Sequence, residues 1–222
     1  MRPTWGRPVA YDAEPAGATA VIFLGKVRIL VTSLKGGVGK TTTAVHLATF
    51  FSDLGPTLLI DADPAQGALT WANRGPGFPF AVSDPQEAKP KRFDYVVYDT
   101  RAQPKAKALE ELSERADWIV VPTAPGALAM ATLERLIPEL RAYPYRVLVT
   151  LVPPPPSRDG EAALETLRSL QLPHFKTFIP RYAAFEKAVL AGVAVREVRD
   201  ERALLAWASY ARVGRELLKG RG

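Results

Sequence analysis

The chain has 222 residues and carries 29 Lys and Arg against 23 Asp and Glu, so its length suits one large α/β domain and its formal net charge of +6 favours a polyanionic partner. It contains no cysteine, which excludes disulfides, thiolate metal sites and iron–sulfur clusters. No apolar run approaches the ~20 residues of a membrane span and the start of the chain lacks the apolar stretch of a signal peptide, so we expect a cytoplasmic protein.

The first 26 residues differ in character from the rest of the chain. Their Pro, Gly and Ala content predicts an N-terminal extension over residues 1–26, followed by a single domain over residues 27–222. An apolar run at 18–24 precedes Gly25-Lys26, a pair that by itself would signal a two-residue hairpin. The next strand is expected to be central in a parallel sheet, which leaves no edge for such a hairpin. The role of the extension stays open between a packed segment, a partner-binding arm and an upstream start codon.

A glycine-rich loop follows the first buried strand of the predicted domain. Val27–Thr32 is a short apolar run typical of a parallel strand, and Thr41–Leu54 has the pattern of a helix. Between them, Gly36, Gly37 and Gly39 let successive backbone N–H groups face one concavity, where side chains would block a phosphate. The helix adds the positive end of its dipole. The order strand, glycine-rich loop, helix therefore predicts a binding loop for a nucleotide polyphosphate.

The polar residues at the end of this loop indicate what it binds. Lys40 can reach the β- and γ-phosphates of a nucleotide, and the Thr41 hydroxyl is placed to bind Mg²⁺. The alternative is a glycine-rich turn in which Gly-Lys-Thr occurs by chance, but the strand before it and the helix after it argue against that reading.

The loop matches one variant of the phosphate loop residue for residue: Lys35-Gly36-Gly37-Val38-Gly39-Lys40-Thr41-Thr42. It resembles the deviant Walker A box of the ParA/MinD family of ATPases. This resemblance implies that all eight residues bind ATP and that Lys35 and Lys40 both act in catalysis. It further implies that Lys35 reaches across a dimer interface to the partner's nucleotide, so that ATP holds two copies face to face. The alternative is that Lys35 is a solvated surface lysine.

Two carboxylates follow the second predicted strand, Thr57–Ile60. In Asp61-Ala62-Asp63-Pro64 they stand at the carboxyl end of a strand, which is where open α/β sheets bind ligands. The segment resembles switch I of the ParA family, which implies that Asp63 positions or activates the attacking water and that Asp61 supports Mg²⁺ and its waters. The alternative is that the aspartates cap the next helix. The family usually has Gln directly after the proline, a place that Ala65 takes here.

A third apolar run, Phe93–Asp99, also ends in a carboxylate. After a phosphate loop, a hydrophobic strand that ends in Asp is typical of a Walker B strand, in which Asp99 holds Mg²⁺ through water. The predicted metal ligands are therefore Thr41, Asp61 and Asp99. The next residues, 100–104, depart from the family's switch II pattern, and Arg101 is left as a contact to a phosphate, to a dimer partner or to neither.

The rest of the chain alternates strands and helices. Further strands are predicted over 118–122, 146–151 and 174–179, and helices over 105–115, 128–140, 161–170, 183–191 and 201–219, while 73–92 is an irregular connection. This alternation predicts an α/β fold: a doubly wound, mostly parallel sheet with helices on both faces, of the P-loop NTPase, deviant Walker A type. Pro180-Arg181 resembles a family segment whose backbone borders the adenine, which implies that both residues bind the nucleotide.

Basic residues are concentrated in the C-terminal part of the chain. Residues 181–222 carry nine Lys and Arg against five Asp and Glu. The resemblance implies that such residues bind double-stranded DNA without sequence preference, and the candidates are Arg199, Arg202, Arg212, Arg215 and Lys219. The alternative is an ordinary solvated helix face. Membrane binding of the MinD kind is disfavoured, because Leu217 and Leu218 are the only bulky apolar residues near the end.

The resemblance covers roughly residues 27–218 and implies a function. It predicts a ParA-type ATPase that forms an ATP-dependent homodimer, binds nonspecific DNA on the nucleoid and partitions or positions a plasmid, a chromosome or another cargo. ATP and Mg²⁺ are the predicted cofactors. Hydrolysis is expected to be slow and to be stimulated by a ParB-like partner, because no arginine finger is evident. A MinD-like membrane regulator and a metabolic ATP-dependent ligase of the same superfamily are the alternatives.

Overall fold

A computed structural model describes residues 27–220, so the predicted extension, with its apolar run at 18–24, lies outside the described residues. Within that range the strands are β1 (Val27–Val31), β2 (Thr57–Ala62), β3 (Ala81–Ser83), β4 (Tyr95–Thr100), β5 (Trp118–Thr123) and β6 (Tyr145–Val149). They form one parallel sheet in the order β3-β2-β4-β1-β5-β6. The strand of the phosphate loop is thus central, as the sequence predicted.

The helices of the described chain lie on both faces of this sheet. They are α1 (Lys40–Ser52), α2 (Gly67–Ala72), α3 (Ala106–Ser113), α4 (Ala127–Leu140), α5 (Asp159–Ser169), α6 (Ala183–Ala191) and α7 (Ala203–Lys219). One core joins one face of the sheet to α1, α2, α6 and α7, and a second core joins the other face to α3, α4 and α5. The doubly wound α/β fold is confirmed.

The burial of the strands explains why they read as continuous apolar runs. Neighbouring residues of β1 alternate between the two cores, with Ile29 in the first and Leu30 in the second, and both are fully buried. A strand covered by helices on both faces excludes water from every position, so apolar β-formers are favoured throughout. The edge strand β3 is only half-buried, and its weaker apolar pattern left it unpredicted inside the irregular connection.

The strand predicted at 174–179 is wrong. The segment runs beside β6, and the backbone N–H groups of Phe175 and Ile179 donate to carbonyls of that strand, but it forms only isolated bridges. Between these contacts, the N–H groups of Lys176 and Thr177 donate to the carboxylate of Glu216 on α7, at 2.8 and 3.1 Å. A side chain from a distant helix takes the place of a strand neighbour.

A candidate nucleotide site

The sheet brings the ends of three predicted segments together. In the parallel register, Asp99 of β4 pairs with Val31 of β1 on one side and with Asp61 of β2 on the other. The phosphate loop leaves β1 directly after Val31, and Asp61 is the last residue but one of β2, which ends at Ala62. The loop and both carboxylates therefore meet at the carboxyl edge of the sheet, where open α/β sheets bind ligands.

The loop has the backbone that its glycines predicted. Gly37 and Gly39 have φ of 71° and 79°, values that favour glycine, and α1 begins at Lys40. The hydroxyl of Thr150 donates to the carbonyl of Val38 at 2.8 Å, which fixes the loop from the end of β6. No local pattern marks Thr150, because only the fold places it beside the loop.

The two lysines of the loop have different surroundings. Lys40 is buried, and its Nζ donates to the carbonyl of Lys35 at 3.4 Å. Burial lowers the pKa of Lys40, while the charges of Asp99 and Asp63 act to raise it. The side chain of Lys35 is exposed. Lys40 therefore faces the carboxylates of its own chain, and Lys35 is accessible to a second molecule.

Asp99 is a buried carboxylate without a hydrogen-bond partner among the described residues. It is fully buried, and neither of its oxygens accepts a hydrogen bond of ordinary geometry, although the Thr41 hydroxyl lies close enough to act on its pKa. Burial raises the pKa of Asp99 to about 7; Thr41 and Lys40 lower this pKa, and Asp61 and Asp63 raise it. Buried polar groups normally have partners. A carboxylate and a hydroxyl at the phosphate loop are donors that suit Mg²⁺.

The switch I carboxylates hold the start of α2. Oδ2 of Asp61 accepts hydrogen bonds from the N–H groups of Ala68 and Leu69, at 2.9 and 3.0 Å, and Oδ1 accepts one from Asp63 at 3.2 Å. For Asp61 the structure therefore shows the helix-capping contacts that the sequence left as an alternative. Asp63 is half-buried, and its Oδ1 accepts a bond from the N–H of Ala65 at 3.0 Å.

Switch II begins after β4 and lies against the phosphate-loop strand. The N–H of Gln103 donates to the carbonyl of Ser33 at 3.3 Å, and Gln103 has a left-handed φ of 54°. Arg101 is exposed, and its Nε donates to the carbonyl of Ala102 at 3.4 Å. Because Arg101 faces solvent, the three alternatives of a phosphate contact, a dimer contact and neither all remain open.

A cavity of about 150 Å³ opens beside the phosphate loop. Gly39 and Thr42 border it on one side, and Pro180 and Arg181, the residues predicted next to the adenine, border it on another. Its remaining walls come mainly from α6 and α7: Tyr182, Phe185, Glu186, Val189 and Tyr210. The structure thus brings the predicted nucleotide residues from both ends of the chain together.

A buried histidine, His46, packs against residues that line this cavity, and no role was predicted for it from the sequence. The ring of His46 stacks on that of Tyr210 at 4.8 Å and contacts Phe185 edge-on. Its Nδ1 lies 2.7 Å from the carbonyl of Thr42, and its Nε2 accepts the N–H of Val195 at 3.1 Å, so the neutral ring donates from Nδ1. The signal in the sequence was slight: a histidine four residues after Thr42 on one helix.

The stability of the protein is expected to depend on the charge of His46. Burial is the largest cause that lowers the pKa of His46 to about 4, the bond to Thr42 opposes it, and the nearby charge of Arg196 lowers it further. The unfolded chain binds this proton near pH 6.5, so the stabilising contribution is present above pH 6.5 and is lost as the pH falls towards 4. We expect a loss of about 3 kcal/mol over this range, at 1.36 kcal/mol per pKa unit.

The measurement is urea unfolding of wild type and of His46→Gln between pH 4.5 and pH 7.5. Comparing the two proteins removes the titration of Asp99, whose raised pKa acts in the opposite direction over the same range. The difference in unfolding free energy should narrow at low pH. If the free energies of unfolding of the two proteins change with pH in parallel, the protonation of His46 is not the cause of the pH dependence.

The five predicted DNA contacts are all exposed. Arg199 and Arg202 lie just before α7 and line an open cavity of about 720 Å³, together with Lys187 of α6. The other three, Arg212, Arg215 and Lys219, lie further along α7. Within residues 27–220, no helix is long and apolar enough to cross a membrane. We call these five basic residues, at the start of α7 and along it, the α7 surface.

Comparisons with known proteins find a nucleotide-binding family and two similar chains. A family model described as the CobQ/CobB/MinD/ParA nucleotide binding domain matches residues 29–195. Maintenance of carboxysome distribution protein A of Gloeobacter kilaueensis is 37% identical over 204 residues, which cover 85% of this chain and 93% of that protein. The protein of the same name from Halothiobacillus neapolitanus is 30% identical over 186 residues, covering 75% of this chain and 85% of its own length.

A solved structure confirms the fold. Apo McdA from Cyanothece superimposes with a TM-score of 0.70 over 87% of this chain and 99% of its own, at 17% sequence identity. At that identity the likeness concerns the fold.

Proposed function

This chain belongs to the CobQ/CobB/MinD/ParA nucleotide-binding family, and we propose that it is a ParA-type ATPase that positions a cargo on DNA. ATP would join two copies, the dimer would bind DNA without sequence preference, and hydrolysis would release it. The observation that carries this proposal is the different exposure of the two lysines of the phosphate loop. Lys40 is buried near Asp99, which suits a nucleotide in the same copy, whereas Lys35 is exposed, which suits a nucleotide in a second copy.

The nucleotide would lie between the loop and the cavity. The N–H groups of Gly36 to Thr42 and the dipole of α1 suit the phosphates, with Lys40 as their buried counter-charge. The cavity beside Pro180 and Arg181 would take the base. Mg²⁺ would be held by Thr41 and Asp99, with Asp61 in the outer shell, and when bound it neutralises charge on the β- and γ-phosphates.

The hydrolytic step would depend on Asp63. Its carboxylate follows the strand next to Asp99 and is close enough to act on the pKa values of both Lys40 and Asp99. We assign it the positioning of the attacking water. Hydrolysis would be slow, because Arg101 of switch II is exposed and its Nε donates to the carbonyl of the next residue, Ala102, a position that does not make it an arginine finger within one copy. A ParB-like partner protein would accelerate it.

The dimer would form because of Lys35. Its backbone is held within the loop, where its N–H donates to Ser33 Oγ at 3.2 Å and its carbonyl accepts from Lys40, while its side chain is free of this framework. A phosphate of the partner's ATP would supply the counter-charge, an interaction that exists only in the dimer. ATP therefore favours the dimer by a differential contact.

The α7 surface would bind the DNA. Its helix has 17 residues, so at about 1.5 Å per residue it spans about 25 Å. That length matches about seven base pairs at 3.4 Å each. Contacts along it would be to phosphates, which carry no sequence information. Because two relatives are named for carboxysome distribution, a carboxysome is the first cargo to test, by imaging its spacing in cells that lack this chain.

We expect the wild-type protein to bind random-sequence duplex DNA at least about tenfold more tightly in the presence of Mg²⁺-ATP than in the presence of ADP. The Lys35→Ala protein with ATP should bind no better than wild type with ADP, because it lacks the trans contact. The measurement is fluorescence anisotropy of a labelled duplex over a series of salt concentrations. Each phosphate contact contributes about 0.9 to the log–log salt slope, so Arg212→Ala with Arg215→Ala should lower the slope by about 2 for each copy of the dimer that contacts the DNA.

The matched control replaces Arg135 and Arg168, exposed residues of α4 and α5 on the opposite face of the sheet, with alanine. This pair should leave both the affinity and the slope unchanged. Equal DNA binding in ATP and ADP would contradict nucleotide control, and the absence of binding under all conditions would contradict the proposed function.

A further inference from the structure

The short helix of switch I is held at both ends. At its start, Asp61 binds the N–H groups of Ala68 and Leu69 and also that of Asp63. Since α2 has six residues, one turn separates this end from Trp71. The sheet holds Asp61 within β2, and Asp63 lies in the short segment between β2 and α2, so whatever fixes Trp71 also limits where Asp63 can lie.

Trp71 is fixed by α6. Its side chain is 2% exposed, and its indole N–H donates to the carbonyls of Ala188 and Val193, at 3.0 and 3.1 Å. Both carbonyls belong to the turn in which α6 ends. A bond that only satisfied the indole needs one acceptor; two acceptors from one helix end define the direction of the ring.

The chain after α2 also lies directly against the end of α6. A Cβ on Gly75 would lie 2.2 Å from the carbonyl oxygen of Ala191, and a Cβ on Gly192 would lie 2.1 Å from the nitrogen of Gly75. Gly192 has a left-handed φ of 68° as well. The two backbones therefore touch with no room for side chains, immediately beyond the bonds of Trp71.

The same helix borders the candidate base cavity. Phe185, Glu186 and Val189 of α6 line it together with Thr42. One element therefore contacts both the cavity and the switch I helix. Trp71 also packs edge-on against His46, with the ring centroids 5.8 Å apart. This packing does not by itself require the two hydrogen bonds of the indole or the close approach of Gly75 and Gly192.

We propose that Trp71 is a positioning residue for hydrolysis, which sets the place of Asp63 by binding α2 to the end of α6. This rests on the proposed ATPase function. The hydrogen bonds and ring contacts of Trp71 go to the end of α6, to His46 and to Phe78 rather than to a phosphate ligand, so its loss should slow hydrolysis more than it weakens ATP binding.

The test compares Trp71→Phe with Trp118→Phe. Both variants lose an indole from a buried site, but the indole N–H of Trp118 has no hydrogen-bond partner among the described residues. In Trp71→Phe we expect kcat for ATP hydrolysis to fall about tenfold, the Kd for a non-hydrolysable ATP analogue to change less than threefold, and amide exchange over 61–72 in the apo protein to rise about tenfold. Trp118→Phe should show none of these changes.

The outcomes separate the two levels of the proposal. A wild type without ATPase activity would overturn the proposed function. An active wild type whose Trp71→Phe variant keeps its kcat and its exchange over 61–72 would overturn the positioning role. If Trp71→Phe does not fold, amide hydrogen exchange in the wild type provides the test. The amides of residues 68–72 and 188–192 should exchange with the same free energy of opening, because the two segments are expected to open together. Much faster exchange in residues 68–72 would contradict the inference.

Discussion

Replacing Lys40 with alanine should weaken ATP binding by at least about 100-fold, which is about 2.7 kcal/mol. Lys40 is 7% exposed and lies among Asp99 and Asp63, so it is the buried positive charge available to a phosphate in the loop. Hydrogen bonds between charged groups are among the strongest in proteins, and burial strengthens them. Isothermal titration of Mg²⁺-ATP into the variant measures the effect.

Lys35→Ala is the matched control, because it removes the same side chain from the same loop. Lys35 is exposed, and its proposed contact is to the nucleotide of a second copy. We expect the Lys35→Ala protein to bind ATP within a few-fold of wild type and to remain monomeric in sedimentation. Comparable losses of affinity in both variants would contradict the division into a lysine that acts within the chain and one that acts between chains.

Asp99→Asn should abolish Mg²⁺-dependent hydrolysis, with a loss of at least about 100-fold. Asp99 is fully buried beside Thr41 without a hydrogen-bond partner among the described residues, so its ionised form needs a cation. An amide keeps the shape and removes the charge, and a neutral oxygen is a weaker ligand for Mg²⁺. Steady-state phosphate release as a function of Mg²⁺ concentration measures the change.

The same substitution should stabilise the protein in the absence of Mg²⁺. The pKa of Asp99 is raised to about 7 from an ordinary value near 3.9, so its contribution to stability is present below pH 3.9 and is lost as the pH rises through 7. The variant does not ionise and avoids this loss. Its melting temperature should exceed that of wild type at pH 8, and the difference should shrink at pH 5.

Asp94→Asn makes the same chemical change just before the opposite end of β4, at an exposed position. It should leave hydrolysis and the pH dependence of melting unchanged. Added Mg²⁺ should stabilise wild type at pH 8 and not Asp99→Asn. If Mg²⁺ stabilises both proteins equally, Asp99 is not a ligand of the metal.

Most of the site could be predicted because its signals are local in sequence. The phosphate loop needs small residues at fixed spacing between a strand and a helix, and the structure has left-handed backbone at Gly37 and Gly39. Parallel strands expose their carboxyl ends at one edge, so the meeting of Asp61 and Asp99 followed from their positions at the ends of two apolar runs. Their roles toward Mg²⁺ stay predictions.

What stayed hidden depends on contacts between distant residues. The loss of regular strand pairing near Thr177 comes from Glu216, 39 residues further along the chain. The capping of α2 by Asp61 was one of two alternatives, and a motif cannot choose between them because the same carboxylate suits both. Thr150 supports the loop only because β6 ends beside it.

By itself the sequence determined the doubly wound fold, the phosphate loop and the carboxylates opposite it, because periodicity and spacing act over a few neighbouring residues. The tertiary structure alone decided the connection between switch I and the C-terminal helices. Trp71 reads as an apolar residue in any local pattern, and its bonds join positions 117 and 122 residues apart. Such contacts exist only once the chain has packed two helices against each other, so no local pattern encodes them.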